Sequence, residues 1–319
     1  MNPPFDHRPQ VQPDCRRLPK PLPEQGCIAI IAPAGPARVD TLKAIHWFEH
    51  RGYQCRIYPG VTESQGYLAG SDAQRLADLH AAFAANDVDA IICLRGGYGS
   101  MRLLDGIDFD LLRNHPKPLV GYSDITALHG AIARQAGFVT FHGAMLKSEL
   151  LADKQAPTES SLFALLSGRL GRGDTLAHPQ AYPLSTIVPG AATGRLVGGN
   201  LAMLGATLGT SAELCSQDGI LFIEDVNEPL YRIDRLLTQL RLAGKFEGLR
   251  GVLVGDFVGL TVQALAPLMR EMFEPLRIPV LAGWRSGHCD PNLTLPLGAQ
   301  VRLDADRQQL QLQEDLFAQ

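Results

Sequence analysis

The sequence has few of the features that mark a nucleic-acid-binding, membrane-spanning or disulfide-stabilised protein. Charged residues make up only 19% of the 319 residues, and the formal net charge is -4. No basic stretch is interleaved with aromatic residues, so no nucleic-acid partner is expected. No apolar run approaches the roughly 20 residues that cross a bilayer, so no membrane segment is expected either.

Metal-binding and redox motifs are also missing. The six cysteines are scattered, without a C-x-x-C pair or the spacing of metal ligands. The H-E-x-x-H pattern of zinc peptidases is absent, and neither "RGGYGS" nor "GGNLAML" matches the glycine patterns of dinucleotide or phosphate-binding loops. The sequence therefore predicts a reduced, cytoplasmic chain that needs no metal and no other cofactor.

The N-terminal segment has little apolar content. Residues 1–25 contain seven prolines and no apolar core, which does not fit a secretory signal. Proline-rich segments of this kind favour extended conformations. We therefore interpret residues 1–25 as an arm that precedes the folded domains.

Alternating strand and helix patterns follow the arm. Across residues 26–150, short apolar runs such as "CIAIIAPAG" alternate with helical spacing such as "SDAQRLADLHAAFA". This alternation predicts an N-terminal α/β domain with a parallel sheet. Ligands bind at the carboxyl ends of the strands in such sheets, and the turns "RGGYG" and "GYSD" both lie there.

The second half of the chain predicts a smaller C-terminal α/β domain. Residues 151–189 have weak periodicity and are interpreted as the connection between the domains. The second domain, residues 190–319, opens with "GAATGRLVGGNLAML", which reads as a glycine-rich turn followed by a helix. Its tail alternates apolar and polar residues about "ADRQ", which predicts a β-hairpin.

Ser123 lies between an apolar strand and a helix, the setting of a nucleophile elbow. The usual G-x-S-x-G pattern is broken, because residue 125 is isoleucine. A serine at the start of a helix is also a common N-cap, so both readings stay open. In an elbow, the backbone N–H of Asp124 would face an oxyanion, and Gly97 of the "RGGYG" turn is the second candidate donor.

A nucleophilic serine needs a base and an orienting acid. His288, in the loop "GWRSGHCDPNLTLP", is the best-placed histidine, because His46, His50, His80 and His129 lie in predicted helices where a structural role fits them better. "FIEDVNE" offers three acids at the end of a buried strand. Asp225 and Glu228 fit charges at a helix N-terminus, whereas Glu224, nearer the strand, fits that role less well.

Several motifs together resemble one family. "RGGYGSMRLL", "GYSDITALH", "GRLVGGNLAML", "ILFIEDVNEPLYRIDRLLTQL" and "GHCDPNLTLPLGA" resemble, in this order, motifs of the LD-carboxypeptidases, the murein tetrapeptide carboxypeptidases of peptidoglycan recycling. The resemblance runs from about residue 28 to residue 303. It implies a serine peptidase in which Ser123 attacks, His288 is general base and then acid, and Glu224 orients the imidazole.

The resemblance also implies a substrate, a location and an assembly. The family suggests release of the C-terminal D-alanine of a murein tetrapeptide through an acyl-enzyme, in the cytoplasm and by a homodimer. Arg95, Tyr98 and Arg232 lie in or beside the motif turns and are candidate substrate-binding residues. Either arginine can bind the substrate carboxylate, and either can equally be the partner of a surface ion pair.

Two other functions stay open. Microcin C immunity-type peptidases resemble this family and use the same triad on an aminoacyl-nucleotide; they carry an aromatic loop for the base. The corresponding segment, 148–190, has Phe163 and Tyr182 but no tryptophan, which leans against that substrate. The second alternative is a non-catalytic peptide- or sugar-binding protein of two α/β lobes, in which Ser123 is only a cap.

Overall fold

The computed structural model describes residues 18–152 and 154–318. Most of the predicted N-terminal arm, residues 1–17, lies outside the described residues. Leu22, in the described part of the arm, is buried, and its N–H donates to the carbonyl of Leu166 at 2.8 Å. No helix among the described residues is long and apolar enough to cross a membrane.

The described chain contains thirteen strands and eight α-helices, numbered in chain order. The strands are β1 Cys27–Ile31, β2 Gln54–Ile57, β3 Ala90–Cys93, β4 Leu119–Gly121, β5 Thr140–His142, β6 Ser185–Val188, β7 Ala191–Asn200, β8 Gly219–Val226, β9 Gly251–Val258, β10 Val280–Ala282, β11 Leu295–Leu297, β12 Gln300–Asp304 and β13 Gln309–Leu312. The helices are α1 Thr41–Glu49, α2 Asp72–Ala84, α3 Phe109–Asn114, α4 Thr126–Gln135, α5 Thr158–Leu166, α6 Leu201–Ala206, α7 Leu230–Leu242 and α8 Val262–Phe273. Short 3₁₀ segments cover Pro59–Val61, Ser100–Gly106, Ser123–Ile125 and Glu274–Leu276, and Leu146–Leu150 form one π-helical turn.

The first sheet is parallel except at one edge. Its order is β11-β5-β4-β3-β1-β2, and only β11 runs antiparallel to its neighbour. Alternate residues of β1 enter two different apolar cores, Ile28 and Ile30 on one face and Ala29 and Ile31 on the other. Both faces are therefore covered, as the continuous apolar runs of the sequence predict for a parallel sheet.

The second sheet has the order β13-β12-β7-β8-β9-β10-β6. β7 to β10 are parallel to one another, whereas β6 pairs antiparallel with β10, β12 with β7, and β13 with β12. One apolar core contains residues of both sheets, such as Ile30 and Val120 from the first and Phe222 and Leu253 from the second. The two units therefore share buried surface, and the predicted two-part α/β class is confirmed.

The prediction of a glycine-rich turn after residue 190 is wrong. Residues 191–200 form β7, and the glycines serve strand packing. A Cβ at Gly194 would lie 2.5 Å from the carbonyl oxygen of Asp218, and one at Gly198 would overlap the carbonyl of Phe222. Glycine in a strand often marks such a close approach of two backbones.

The C-terminal segment serves both sheets. The predicted hairpin is present as β12 and β13. β11, just before it, crosses to the first sheet and pairs with β5. The predicted connection, residues 151–189, contains α5 and also β6, which is the edge strand of the second sheet.

Candidate active site

Ser123 occupies a strained turn between β4 and α4. Its φ is +61°, which is unfavourable for a residue other than glycine. It opens the 3₁₀ turn Ser123–Ile125, and neither that turn nor α4 begins with a side-chain cap bond. Ser123 is therefore not a plain N-cap. It lies just beyond the carboxyl end of the parallel strand β4.

The missing second glycine of the elbow motif has a packing explanation. A Cβ at Gly121 would lie 2.9 Å from Cγ1 of Ile125, so the side chain at 125 fills the space that Gly121 leaves. Gly96 of the "RGGYG" turn lies against the serine itself. A Cβ there would be 2.9 Å from Cβ of Ser123 and 3.1 Å from its hydroxyl, so the glycine turn borders the nucleophile directly.

The Asp124 side chain fixes the glycine turn to the elbow. Its buried carboxylate accepts the N–H of Ser100 at 2.8 Å, and the Ser100 hydroxyl donates to the Asp124 carbonyl at 2.5 Å. The buried guanidinium of Arg75 holds the Gly99 carbonyl at 2.8 Å. The sequence indicated only the backbone N–H of Asp124, because its partner Ser100 is 24 residues away.

Glu224 and His288 are joined directly. Glu224 is fully buried at the end of β8, and its Oε2 accepts from Nδ1 of His288 at 2.7 Å. Burial disfavours the protonated imidazole, but the hydrogen bond and charge of Glu224 outweigh it and raise the pKa of His288 above its usual value. With Nδ1 bound to Glu224, Nε2 is the ring nitrogen available for proton transfer.

The imidazole lies beside the nucleophile turn. The ring of Tyr122, the residue before Ser123, contacts the ring of His288 edge-on, with centroids 4.9 Å apart and planes at 73°. The chain thus brings His288, from the second half, against the elbow of the first sheet. Tyr122 therefore links the Glu224–His288 pair to the turn that carries Ser123.

The predicted substrate-binding residues differ in their surroundings. Arg95 is exposed, and its Nη1 is 3.4 Å from the carbonyl of Pro36, at the edge of a groove of about 490 Å³ lined by residues 36–39 and 62–64. Gly97 is exposed with φ +111°. Tyr98 is exposed and contacts Tyr67 edge-on at 5.6 Å. Arg232 already has an acidic partner, Glu228, at 3.6 Å.

His129 and Asp225 make structural contacts. His129 is buried, binds the Gly121 carbonyl at 2.8 Å through Nε2, and has its pKa lowered by burial to about 4. Asp225 accepts from Asn200 at 2.9 Å and from the N–H of Ala202 at 2.8 Å, so it stabilises the start of α6. In residues 18–152 and 154–318, no three His, Cys, Asp or Glu side chains form a group that could hold a metal ion.

The fold and this cluster define a two-unit α/β protein with a serine elbow and a histidine–glutamate pair, the arrangement of a serine hydrolase. Sequence profiles of the LD-carboxypeptidase N-terminal and C-terminal domains match residues 28–143 and 193–303. The chain belongs to the LD-carboxypeptidase family and is a serine-type hydrolase.

Relatives carry consistent names. The chain is 39% identical over 295 residues to a "Probable murein peptide carboxypeptidase" of Bacillus subtilis, covering 90% of this chain and 91% of the relative. It is 33% identical over 303 residues to the "Murein tetrapeptide carboxypeptidase" of Pseudomonas aeruginosa, covering 89% and 95%.

Solved structures agree on the fold. The muramoyltetrapeptide carboxypeptidase of Oxalobacter formigenes matches with a TM-score of 0.76 at 31% identity, covering 92% of this chain and 100% of that one. The microcin C7 self-immunity protein MccF matches with a TM-score of 0.85 at 24% identity, covering 94% and 99%. At that identity the second likeness supports the fold alone.

Proposed function

We propose that this enzyme releases the C-terminal D-alanine of a murein tetrapeptide by cleaving the L,D bond after the diamino acid. The hydrogen bond between Glu224 and His288, beside the strained turn of Ser123, is the observation that carries the chemistry. The names of the relatives support the substrate class. The release of D-alanine serves the recycling of peptidoglycan.

The reaction proceeds in two halves. Oγ of Ser123 attacks the carbonyl carbon while Nε2 of His288 takes the hydroxyl proton. The N–H groups of Asp124 and Gly97 stabilise the oxyanion. His288 then protonates the amine of D-alanine as it leaves, and a water molecule, activated by the same nitrogen, hydrolyses the acyl-enzyme.

Glu224 has two effects on this cycle. It holds His288 in the tautomer with the proton on Nδ1, and its charge stabilises the imidazolium that forms during each proton transfer. Because it is completely buried, its charge is poorly screened by solvent. The same interaction raises the pKa of His288, because it stabilises the protonated imidazole.

The assay uses purified protein and murein tetrapeptide, with product followed by mass. Loss of one alanine, unchanged by EDTA, supports the proposal, since acyl transfer to serine uses no metal. Ser123→Ala must abolish the loss. An intact tetrapeptide would remove the substrate assignment, and inhibition by EDTA that zinc reverses would indicate a metallopeptidase.

An aminoacyl-nucleotide serves as the competing substrate in the same assay. The aromatic side chains that the sequence offered for a nucleotide base are already engaged. Phe163 is buried and stacks on Tyr53 at 5.0 Å, and the guanidinium of Arg285 lies 4.6 Å from the centre of the Tyr182 ring. Faster cleavage of the aminoacyl-nucleotide than of the tetrapeptide would reverse the assignment.

We also propose that the enzyme is a homodimer and acts in the cytoplasm. Both parts of this proposal rest on the family resemblance. Light scattering on the purified protein at micromolar concentration tests the assembly. A mass near twice the 34.6 kDa of the chain is the expected result. A monomer under assay conditions that retains full activity would contradict it.

A further inference from the structure

Glu149 is a buried carboxylate close to the catalytic cluster that the triad does not use. It lies on the π-helical turn after β5 and is only 4% exposed. Oε1 accepts the hydroxyl proton of Tyr122 at 2.7 Å, and Oε2 accepts the N–H of Met145 at 2.8 Å. Burying a carboxylate is unfavourable unless hydrogen bonds compensate for its lost hydration, and these two bonds provide that compensation.

Tyr122 connects Glu149 to the base. Its backbone is fixed by the elbow, because it directly precedes Ser123, and its hydroxyl is fixed by Glu149. Between these two anchors the ring packs edge-to-face with the His288 imidazole, the two ring centroids being 4.9 Å apart. A tyrosine ring fixed at both ends can limit the movement of the imidazole that packs against it.

Glu224 alone leaves one motion of the base open. Its main hydrogen bond holds Nδ1 of His288, and an imidazole held at one nitrogen can still tilt about that bond. The Tyr122 ring lies against the imidazole and restricts this tilt. The base is therefore held by Glu224 of β8 and by Tyr122, which directly follows β4.

The electrostatic setting of His288 includes Glu149. The titratable and charged groups around the imidazole come from several elements: Glu224 and Asp225 of β8, Asp256 of β9, Arg285 and Cys289 of its own loop, His142 of β5, Tyr122 and Glu149. Asp256 is paired with Arg285 at 2.7 Å. Burial holds the pKa of His142 well below its usual value, so that ring adds no charge at neutral pH. Glu149 is thus the acid that the first half of the chain contributes to this setting.

We propose that Tyr122 and Glu149 are a second positioning pair for His288, in which the tyrosine ring fixes the imidazole and the carboxylate anchors the ring and stabilises the imidazolium. The inference depends on the proposed triad and extends it. Neither residue touches the substrate or exchanges protons with it. Their effect is on the geometry and basicity of His288.

Two conservative variants separate these roles. Tyr122→Phe keeps the ring and removes its anchor, and Glu149→Gln keeps an acceptor and removes the charge. We expect each to lower kcat about 5- to 50-fold with KM within about twofold, because small displacements of a catalytic group have effects of this order. Glu149→Gln should also move the acidic limb of kcat/KM to lower pH, since a lost negative charge destabilises the imidazolium.

A matched control is available on the surface. Glu159 on α5 forms an ion pair with Arg51 through both carboxylate oxygens, at 2.6 and 2.8 Å, and its side chain is 44% exposed to solvent. Glu159→Gln removes the same charge by the same chemical change and should leave kcat and the pH profile unaltered. The double variant Tyr122→Phe/Glu149→Gln should be little worse than Glu149→Gln alone, because Tyr122 acts through the anchor that Glu149 provides.

A second readout is independent of the murein substrate. The rate at which an organophosphate inactivates Ser123, measured against pH, reports the basicity and placement of His288 directly. If wild-type protein reacts but leaves tetrapeptide intact, the substrate proposal fails while the positioning pair is still tested by this rate. Wild-type inactivation rates and an unshifted pH limb in both variants, with only a lower melting temperature, would overturn the inference.

Discussion

The backbone of Gly287 lies directly against the carboxylate of Glu224. A Cβ at Gly287 would overlap Oε2 of Glu224 and lie 2.7 Å from its Cδ, and the residue has φ +109°. The next residue is His288, whose N–H is 3.3 Å from the same oxygen. The absence of a side chain at Gly287 therefore lets the loop approach Glu224 closely enough for His288 to bind its carboxylate.

Gly287→Ala should displace Glu224 from His288. We expect kcat/KM on the tetrapeptide to fall by at least about tenfold, because the orienting bond of the base is lost or lengthened. Gly298→Ala is the control: Gly298 has a similar φ of +88°, but its nearest neighbours are 3.9 Å from an added Cβ. Similar activity losses in both variants would mean that general backbone strain, not the Glu224 contact, is responsible.

The strain at Ser123 predicts a conflict between stability and activity. Ser123→Gly and Ser123→Ala should both abolish turnover, but the glycine variant should be more stable by roughly 1 kcal/mol, because only glycine adopts φ near +61° without penalty. Urea unfolding of the two variants measures the difference. At Ser160, exposed on α5, the same pair of substitutions should give the opposite order, since alanine favours helix. Equal stabilities at 123 would show that the turn relaxes.

The buried histidines predict loss of stability in mild acid. Burial lowers the pKa of His129 to about 4, from about 6.5 in the unfolded chain. The folded state therefore resists protonation, and the stability that His129 contributes above pH 6.5 is lost as the pH falls from there toward 4. A shift of this size corresponds to roughly 3 kcal/mol. His288 has the opposite sign: its raised pKa adds stability below pH 6.5 that disappears as the pH rises through the folded-state value.

Unfolding free energy measured between pH 7 and pH 4 tests this account. His129→Gln should flatten the dependence, because the replacement does not titrate. His50→Gln, at an exposed position after α1, should leave the slope unchanged. A slope that is the same in wild type and His129→Gln would assign the acid lability to other groups.

The parts of the fold that depend on local pattern were predictable. Asp40 and Ser71 cap α1 and α2 as helix-start residues should, and the apolar run of β1 is buried on both faces. β7 was not, because the glycines that resemble a turn are required by the backbone of β8, which is distant in sequence. β11 was not, because nothing local separates a strand of the hairpin from one that crosses to β5.

For the candidate site, too, the residues were predictable from local motifs but their long-range contacts were not. Ser123, Glu224 and His288 lie in motifs that can be read from the sequence. The contacts that hold them cannot, since Ser100 reaches Asp124, and Glu149 reaches Tyr122, across 24 and 27 residues. A buried acid such as Glu149 has no sequence pattern of its own, because its environment is created only when β4 and the turn after β5 pack together.

The last prediction concerns the cation that binds the terminal carboxylate. Arg95 follows β3 beside the glycine turn and has no ion pair among the described residues; its Nη1 lies 3.4 Å from the Pro36 carbonyl, whereas Arg232 has Glu228 as a partner. A charge-assisted bond to a carboxylate contributes roughly 1.5 to 3 kcal/mol, so amidating the C-terminus of the tetrapeptide should cut kcat/KM by about tenfold or more. Arg95→Ala should lower activity on the acid and remove its advantage over the amide, while Arg232→Ala keeps that advantage.

The length of the substrate provides the second arm of this prediction. A pentapeptide ending in D-Ala-D-Ala should resist cleavage, because its scissile carbonyl belongs to a D-centre that turns the chain away from the N–H groups of Asp124 and Gly97. Competition between tetrapeptide, tetrapeptide amide and pentapeptide in one mixture, followed by mass, gives the three relative rates directly. Trimming of the pentapeptide with an intact tetrapeptide would show that the bond assignment is wrong even where Ser123 is the nucleophile, and an acid-to-amide ratio unchanged in Arg95→Ala would move the carboxylate site away from the glycine turn.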